Sequence, residues 1–410
     1  MKATDTIIIG GGQAGLAASR LLTDAQHEHV VFERRRVGER WLSASWDSLR
    51  LLTPNWMTRL PHWAYSGAEP DGFMTARQVA GFLSAYSRSF YAPVQSNTAV
   101  ERVRMEGDRF EVVTNDAVWR TKNIVIASGW ADQPAIPEVA SRLEPSIEQL
   151  APANYRNPGQ LADGAVLVVG ASASGVQLAD ELRRDGRSVY LAVGRHTRMV
   201  RRYRGRDIFW WLEQVGALDR TVDDVRSVDE ARREPSMQLI GRTDGFKVDL
   251  PTLAAAGVVL LGRLTAIDGS RAYFADDLQA TVRAADERLC RTLERIDRYI
   301  ATAGLPEHEL PPERPIRAKL GESSRGLDLR TAGVSTVVWA TGHRRDYHWL
   351  DIPVTGPDGE LMHTYGITPV PGLYVLGQRF QRTRRSNFLD GVGTDALAIT
   401  QHLMKRNRSH

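Results

Sequence analysis

A single cysteine, Cys290, occurs among 410 residues, which excludes an intramolecular disulfide and any redox-active thiol pair. No apolar run is long enough to span a bilayer, and no charged-then-apolar leader precedes the first strand pattern, so no membrane partner is expected and the cytoplasm is the expected compartment. His62, His343 and His348 fall at no metal-ligand spacing, and no metal is expected. The charge excess is small, +4 at neutral pH, and no recognition motif accompanies the arginines, so nucleic acid is not an expected partner either. Low-complexity segments are absent, and the 42% hydrophobic composition can fill more than one core.

What the chain does have stands at its start. Ile7 to Ile9 form an all-apolar run of the kind buried on both faces of a parallel sheet. Gly10, Gly12 and Gly15 follow in GxGxxG spacing. The first suits a tight turn, the second a close backbone approach to pyrophosphate, and the third helix-on-strand packing. A helix is expected from about Gln13, burying Leu16, Ala17, Leu21 and Leu22, with its free amides aimed at phosphate. A second strand, His29 to Phe32, delivers Glu33, whose carboxylate suits the ribose hydroxyls of an adenosine. Gln13, Ala14 and Arg34 complete this cofactor-binding set. The alternative is a glycine-rich structural turn.

The pattern returns once. Ala165 to Val169 leads into Gly170, Ser172, Ser174 and Gly175, then into an amphipathic helix and a strand at Val189 to Val193. Arg195 and Arg198 follow where the first copy has its acid. An arginine fork pairs with the 2′-phosphate that a carboxylate would repel, so NADPH is favoured over the alternative NADH at this copy, and the first copy is then better assigned to FAD. The arginines at 201, 202, 204 and 206 extend the same basic field around a polyanionic cofactor.

The layout expected is α/β, with two Rossmann-like (βαβ) dinucleotide-binding domains, the NADPH domain inserted into a split FAD domain. Residues 1–160 form the N-terminal part of the FAD domain. Residues 161–335 form the NADPH domain, with a partly helical excursion over 206–305, and 336–410 return to the FAD domain. In the excursion Leu278, Val282, Leu289, Leu293, Ile296 and Ile300 share one face, leaving Cys290 a structural or incidental role. Phe209, Trp210 and Trp211 are expected to pack the excursion onto the main domains, with a substrate lid as the alternative. The basic tail from Lys405 is expected to fray.

These residues resemble the class B flavoprotein monooxygenases, which include the flavin-containing and Baeyer–Villiger monooxygenases, and within them the small bacterial CzcO-like subgroup. The resemblance covers nearly the whole chain. It rests on both glycine patterns, on Ile126-Ala127-Ser128-Gly129 and Ala340-Thr341-Gly342 as ATG-like crossovers, and on two tryptophan motifs. Those are Gly38-Glu39-Arg40-Trp41 and Trp46-Asp47-Ser48-Leu49-Arg50-Leu51-Leu52-Thr53-Pro54. Two departures stand out. Ala151-Pro152 replaces a histidine–serine pair before Tyr155-Arg156-Asn157-Pro158, and Leu52 takes the register of an asparagine near the flavin, with Asn55 displaced.

The resemblance implies an FAD-dependent, NADPH-consuming monooxygenase. It would insert one oxygen atom from O2 into a small organic substrate by N- or S-oxygenation or Baeyer–Villiger oxidation, through a flavin C4a-(hydro)peroxide. It also implies cofactor contacts at Gly38, Trp41, Ser128, Gly129, Thr341, Gly342, Gln378, Asp390 and Gly393. Trp41, Trp46, Trp56, Trp63 and Tyr65 are expected to line the flavin or substrate pocket, with ordinary core as the alternative. Arg50 is the expected catalytic cation, oriented by Asp47 beside Trp46, against the alternative of a plain surface ion pair. A homodimer is admitted. Competing readings are an NADPH oxidase, an NADPH-dependent flavin reductase and a non-catalytic redox-sensing flavoprotein.

Overall fold

Two sheets organise the chain in the computed structural model, which describes residues 1–408 apart from 245–246, 307–309, 313–314, 317–319 and 321–322. In chain order the main elements are β1 Lys2–Ile9, α1 Gln13–Asp24, β2 His29–Phe32, α2 Ala76–Ser89, β3 Val94–Gln95, β4 Val100–Glu106, β5 Arg109–Thr114, β6 Val118–Ile126 and β7 Glu148–Leu150. Then come β8 Ala165–Val169, α3 Ala173–Arg184, β9 Val189–Ala192, β10 Val259–Leu261, α4 Leu278–Ala303, β11 Val334–Trp339, β12 Leu350–Asp351, β13 Leu373–Val375 and α5 Val392–Arg408.

The first sheet has the order β12-β4-β5-β6-β1-β2-β3, with β13 also pairing β6. β1 lies between parallel neighbours β2 and β6. Ile8 packs into the core shared with α1 and α5, while Ile7 and Ile9 face the opposite core. That two-sided burial is why the run carries no polar alternation. The second sheet, β7-β11-β8-β9-β10, is parallel throughout.

The domain limits drawn from sequence change here. Residues 148–150 and 334–339 both belong to the second sheet, with β11 next to β8, so the limit at 160 leaves out β7 and the limit at 335 cuts through β11. The apolar run Val337-Val338-Trp339 signals a buried strand, but it carries no information about which sheet accepts it. Among the described residues the first sheet is rejoined by β12 and β13. Gln133–Pro134 and His343–Arg344, on the two segments crossing between the sheets, pair antiparallel with each other.

The excursion packs on α4. Ile208, Phe209, Trp211 and the α4 stripe Leu289, Leu293, Ile296 and Ile300 form one cluster with Met57, and Phe388 packs against it. The buried residues of α4 are the six expected plus Ala285, and Cys290 is exposed. Trp211 donates its indole N–H to the Tyr203 carbonyl at 2.6 Å. Below this cluster Arg201 is buried: it donates to the Leu52 carbonyl at 2.9 Å, pairs with Asp207 at 3.0 Å and lies over the Phe73 ring. Arg204 pairs with Asp297 and Arg206 lies over Trp210. Three members of the arginine run therefore serve the fold of the excursion rather than a phosphate field. Arg201→Ala leaves the Asp207 carboxylate without its partner, and the expected loss is about 3–5 kcal/mol by chemical denaturation. A loss no larger than the ~1 kcal/mol of an exposed pair would contradict the assignment.

The C-terminal tail does not fray where expected. α5 continues to Arg408, and Arg406 donates to Asn123 Oδ1 at 2.9 Å; residues 409–410 lie outside the described residues.

Candidate functional site: two glycine turns and their charges

Gly10 has φ +113°, and a Cβ there would stand 2.4 Å from the Ala127 carbonyl oxygen. A Cβ on Gly15 would stand 1.9 Å from the Gly10 oxygen, whereas one on Gly12 would meet nothing within 4 Å. Gly12 is the extended N-cap of α1 and supplies no side-chain cap, so the first-turn amides keep their donor capacity for an anion. Glu33 is fixed at the mouth of this turn: Oε2 accepts from Gly11 N at 2.7 Å and Oε1 from Arg35 N at 3.0 Å.

The second turn repeats the first almost atom for atom. Gly170 has φ +106° with its Cβ position 2.4 Å from the Ala340 oxygen, and the Gly175 Cβ position is 1.8 Å from the Gly170 oxygen. Ser172 is the extended N-cap of α3, again with no side-chain cap bond. Ala127-Ser128-Gly129 thus backs the first turn and Ala340-Thr341-Gly342 the second. The reading of 340–342 as the return to the first site is corrected by this contact. Thr341 Oγ1 donates to the Ala135 carbonyl at 2.7 Å, tying the crossover together.

Arg195 and Arg198 part company. Arg195 is exposed and lines a cleft of about 320 Å³ with Arg220, Arg226 and Arg288. Arg288 is shifted below the usual arginine value, first by burial and then by the Arg195 charge. Asp224, Glu230 and Glu234 line the same cleft, and Glu234 acts on Arg288 against the Arg195 charge, so the cationic field there is offset in part. Arg198, by contrast, is buried and closed by Asp249 and Asp286, each at 2.6 Å. Its neutralised guanidinium is a structural ion-pair centre and not a phosphate ligand.

At the other end of the first turn, Gly377 approaches α1 so closely that a Cβ would come within 2.7 Å of Ala14 Cβ. That contact places the buried Gln378 beside the loop, and Gln13 donates weakly to the Asn387 carbonyl at 3.4 Å. Gly393, in the first turn of α5, lies against Pro61. Asp390 was expected at the cofactor, but it pairs with Arg385 at 2.9 Å and Arg59 at 3.7 Å. Arg34, 68% exposed, stands 3.8 Å from Asp132, while Gly38 takes φ +72° to enter a short helix that carries Trp41.

Asp395, one turn into α5, has its carboxyl pushed up to about 6 by burial, against the Ser386 hydroxyl and Arg382. Its folded value lies above the unfolded one, so the folded state holds the proton and stability falls as pH rises from about 4 to about 6. Asp395→Asn should therefore stabilise the protein at pH 7, by at most about 3 kcal/mol, and bring nothing near pH 4. Thermal melts of both forms across that window check it, and equal melting at every pH would contradict it.

The aromatic wall expected over 38–65 divides among three cores. Trp41, Trp63 and Tyr65 pack on the first sheet's core, Trp46 on the second sheet's, and Trp56 on the excursion cluster. Nor does Asp47 orient Arg50. Asp47 accepts from Asn157 Nδ2 at 2.7 Å, while Arg50 Nη1 donates to the Phe73 carbonyl at 2.9 Å. Tyr155 is fully buried and donates to Glu181 at 2.9 Å, and Arg156 holds the Ser43 and Ser45 carbonyls. Together they clamp the 43–48 segment to α3. No metal-binding cluster occurs among the described residues.

Two like-built glycine turns on separate sheets, one with a fixed carboxylate at its mouth and the other followed, after its next strand, by the exposed Arg195, define a protein with two Rossmann-like nucleotide units. The model of the pyridine nucleotide-disulphide oxidoreductase family matches residues 7–213. An uncharacterized CzcO-like oxidoreductase of Geobacillus kaustophilus is 31% identical, over 96% of each chain. Among solved structures, a flavin-containing monooxygenase from Stenotrophomonas maltophilia superposes at TM-score 0.68 with 19% identity over 99% of each chain. OTEMO in complex with FAD and NADP superposes at 0.56 with 15% identity, over 100% of this chain and 87% of that one. The chain belongs to the pyridine nucleotide-disulphide oxidoreductase family, among its CzcO-like oxidoreductases.

Proposed function

We propose that this oxidoreductase is an FAD-dependent, NADPH-consuming monooxygenase that places one oxygen atom of O2 on a small organic substrate, at a soft nitrogen or sulfur or beside a ketone. The observation that carries the reading is the opposite charge that follows two equivalent turns: Glu33 hydrogen-bonded at the first, and the exposed Arg195 just past the strand that follows the second. The turns fit the two cofactors, because Gly12 leaves its Cβ space open and both helix N-termini lack a side-chain cap.

When bound, FAD supplies the electron transfer from NADPH and the activation of O2. The chain's own residues position and neutralise. Gly12 and the α1 amides hold the FAD pyrophosphate, and Glu33 accepts from the adenosine ribose. Gln378 and the α5 N-terminus near Gly393 flank the flavin end. Ser172, Ser174 and the α3 amides hold the NADPH pyrophosphate, and Arg195 with Arg288 pairs with its 2′-phosphate. A dithiol relay of the kind the family's name implies has no counterpart, because Cys290 is the only cysteine and is exposed on α4. Among the described residues no helix is long and apolar enough to cross a membrane.

Stopped-flow reduction by NADPH followed by air reoxidation tests the proposal. Reduction and a delayed, substrate-accelerated return of oxidised flavin are expected. Immediate stoichiometric hydrogen peroxide would replace the monooxygenase with an NADPH oxidase, and no reduction would leave a binding protein.

A further inference from the structure

We infer a second small-molecule site, for a zwitterionic amino-acid-type ligand with a bulky apolar side chain, in the groove between residues 46–73 and the outer flank of α3. The groove is a cavity of about 590 Å³ lined by Trp46, Arg50, Glu69, Phe73, Gln177 and Ile240, among others. That volume lies within the roughly 300–1,000 Å³ of small-molecule pockets. Neither glycine turn contributes to its lining, and Arg195 belongs to the other cleft.

Most of its charges are already spent on the protein. Arg184 pairs with Asp180 at 2.8 Å, and Arg242 pairs with Asp244. Glu181 accepts from the Tyr155 hydroxyl at 2.9 Å and from the Ser48 hydroxyl. Two charges remain. Arg50 makes one side-chain bond, to the Phe73 carbonyl at 2.9 Å, and has no carboxylate partner among the described residues. Glu69 has no cationic partner among the described residues; only its backbone carbonyl is engaged, by Asn55 Nδ2 at 2.9 Å and by Gly72 N at 3.0 Å.

Local geometry brings these two residues to the same wall of the groove, without an ion pair between them. A Cβ on Gly72 would lie 3.1 Å from Glu69 Cβ, and the next residue, Phe73, carries the carbonyl that Arg50 uses. On the facing wall a Cβ on Gly241 would lie 2.8 Å from Arg50 Cβ and 3.0 Å from Phe73 Cβ. The segment around Gly241 therefore packs directly against Arg50 and Phe73. A guanidinium and a carboxylate that the protein does not neutralise, on one rim of a floor made by Trp46, Phe73 and Ile240, match a ligand with the reverse arrangement. Its carboxylate meets Arg50, its ammonium meets Glu69, and its apolar side chain lies on the floor. Because Glu181 and Ser48 join the two sides, such a ligand would also bridge the first unit's 46–73 segment to α3.

The test is calorimetric titration of the purified holoprotein with L-tryptophan, its methyl ester and N-acetyl-L-tryptophan. One equivalent of L-tryptophan is expected to bind, and Arg50→Ala and Glu69→Gln should each weaken it about tenfold or more without lowering the melting temperature. The ester, which lacks the carboxylate, should be indifferent to Arg50→Ala, and the N-acetyl compound should be indifferent to Glu69→Gln. Arg195→Ala should leave L-tryptophan binding within about twofold, because distant sites add independently. No L-tryptophan binding, equal binding of all three compounds, or affinity retained in both groove variants would overturn the site. Competition with NADPH would overturn its separation from the cofactor cleft. The cofactor reading stands or falls separately, on flavin content and NADPH reduction.

Discussion

Gly12→Val should give a folded protein that no longer retains FAD, whereas Gly15→Ala should fail to fold. The two positions lie three residues apart in one motif and differ in what a side chain meets. At Gly15 even a methyl group would sit 1.9 Å from the Gly10 oxygen, in the contact that seats α1 on β1. Backbone oxygen cannot yield as a flexible side chain can, so the helix must lift from the sheet. At Gly12 the backbone is extended, φ −83°, which a β-branched residue adopts freely, and a Cβ there meets nothing within 4 Å. The isopropyl group would then occupy the space above the α1 amides where the pyrophosphate is proposed to lie. An affinity loss of at least about 100-fold, ~2.7 kcal/mol, is expected. Flavin absorbance per protein after desalting, read with a thermal melt, separates the two outcomes. A Gly12→Val protein that keeps a full complement of FAD would remove the first turn from the cofactor site.

Arg195→Ala should raise the KM for NADPH by about 10- to 100-fold and leave that for NADH nearly unchanged, since a charge-assisted hydrogen bond is worth roughly 1.5–3 kcal/mol. The two cofactors differ only in the 2′-phosphate, so the ratio isolates that contact. Arg288 remains in the cleft of the variant and keeps part of the phosphate attraction, so the loss is that of one charged contact. Steady-state kinetics with both cofactors check this. A parallel rise in both KM values would place Arg195 outside the phosphate site. Arg198→Ala should behave differently, destabilising the protein by exposing Asp249 and Asp286 to each other without their shared cation.

Both glycine turns were legible because their glycines are required by local contacts that spacing encodes. Gly10 and Gly170 need positive φ, and Gly15 and Gly175 need closeness to the preceding turn. The inward stripe of α4 was legible for a similar reason, as helical period fixes which side chains share a face. What could not be read was partnership across the chain. Nothing around Arg198 in sequence announces Asp249 and Asp286, fifty or more residues away, so it looked equivalent to Arg195. The same holds for Arg201, which reaches back to the Leu52 carbonyl, and for Asp390, which is closed by Arg385 and Arg59. β11 read as a strand but not as a neighbour of β8, which misplaced the turn at 340–342. Arg288 lay on the charged flank of α4 and gave no sign that it faced Arg195.

The central claim is that reducing equivalents from NADPH end in an oxygenated organic product. Turnover under isotopically heavy dioxygen, with a thioether, a tertiary amine and a cyclic ketone as probes, tests it most directly. The account predicts one heavy oxygen atom in the product of at least one probe, with one NADPH consumed for each product formed. Complete recovery of the NADPH electrons as hydrogen peroxide with every probe would contradict it.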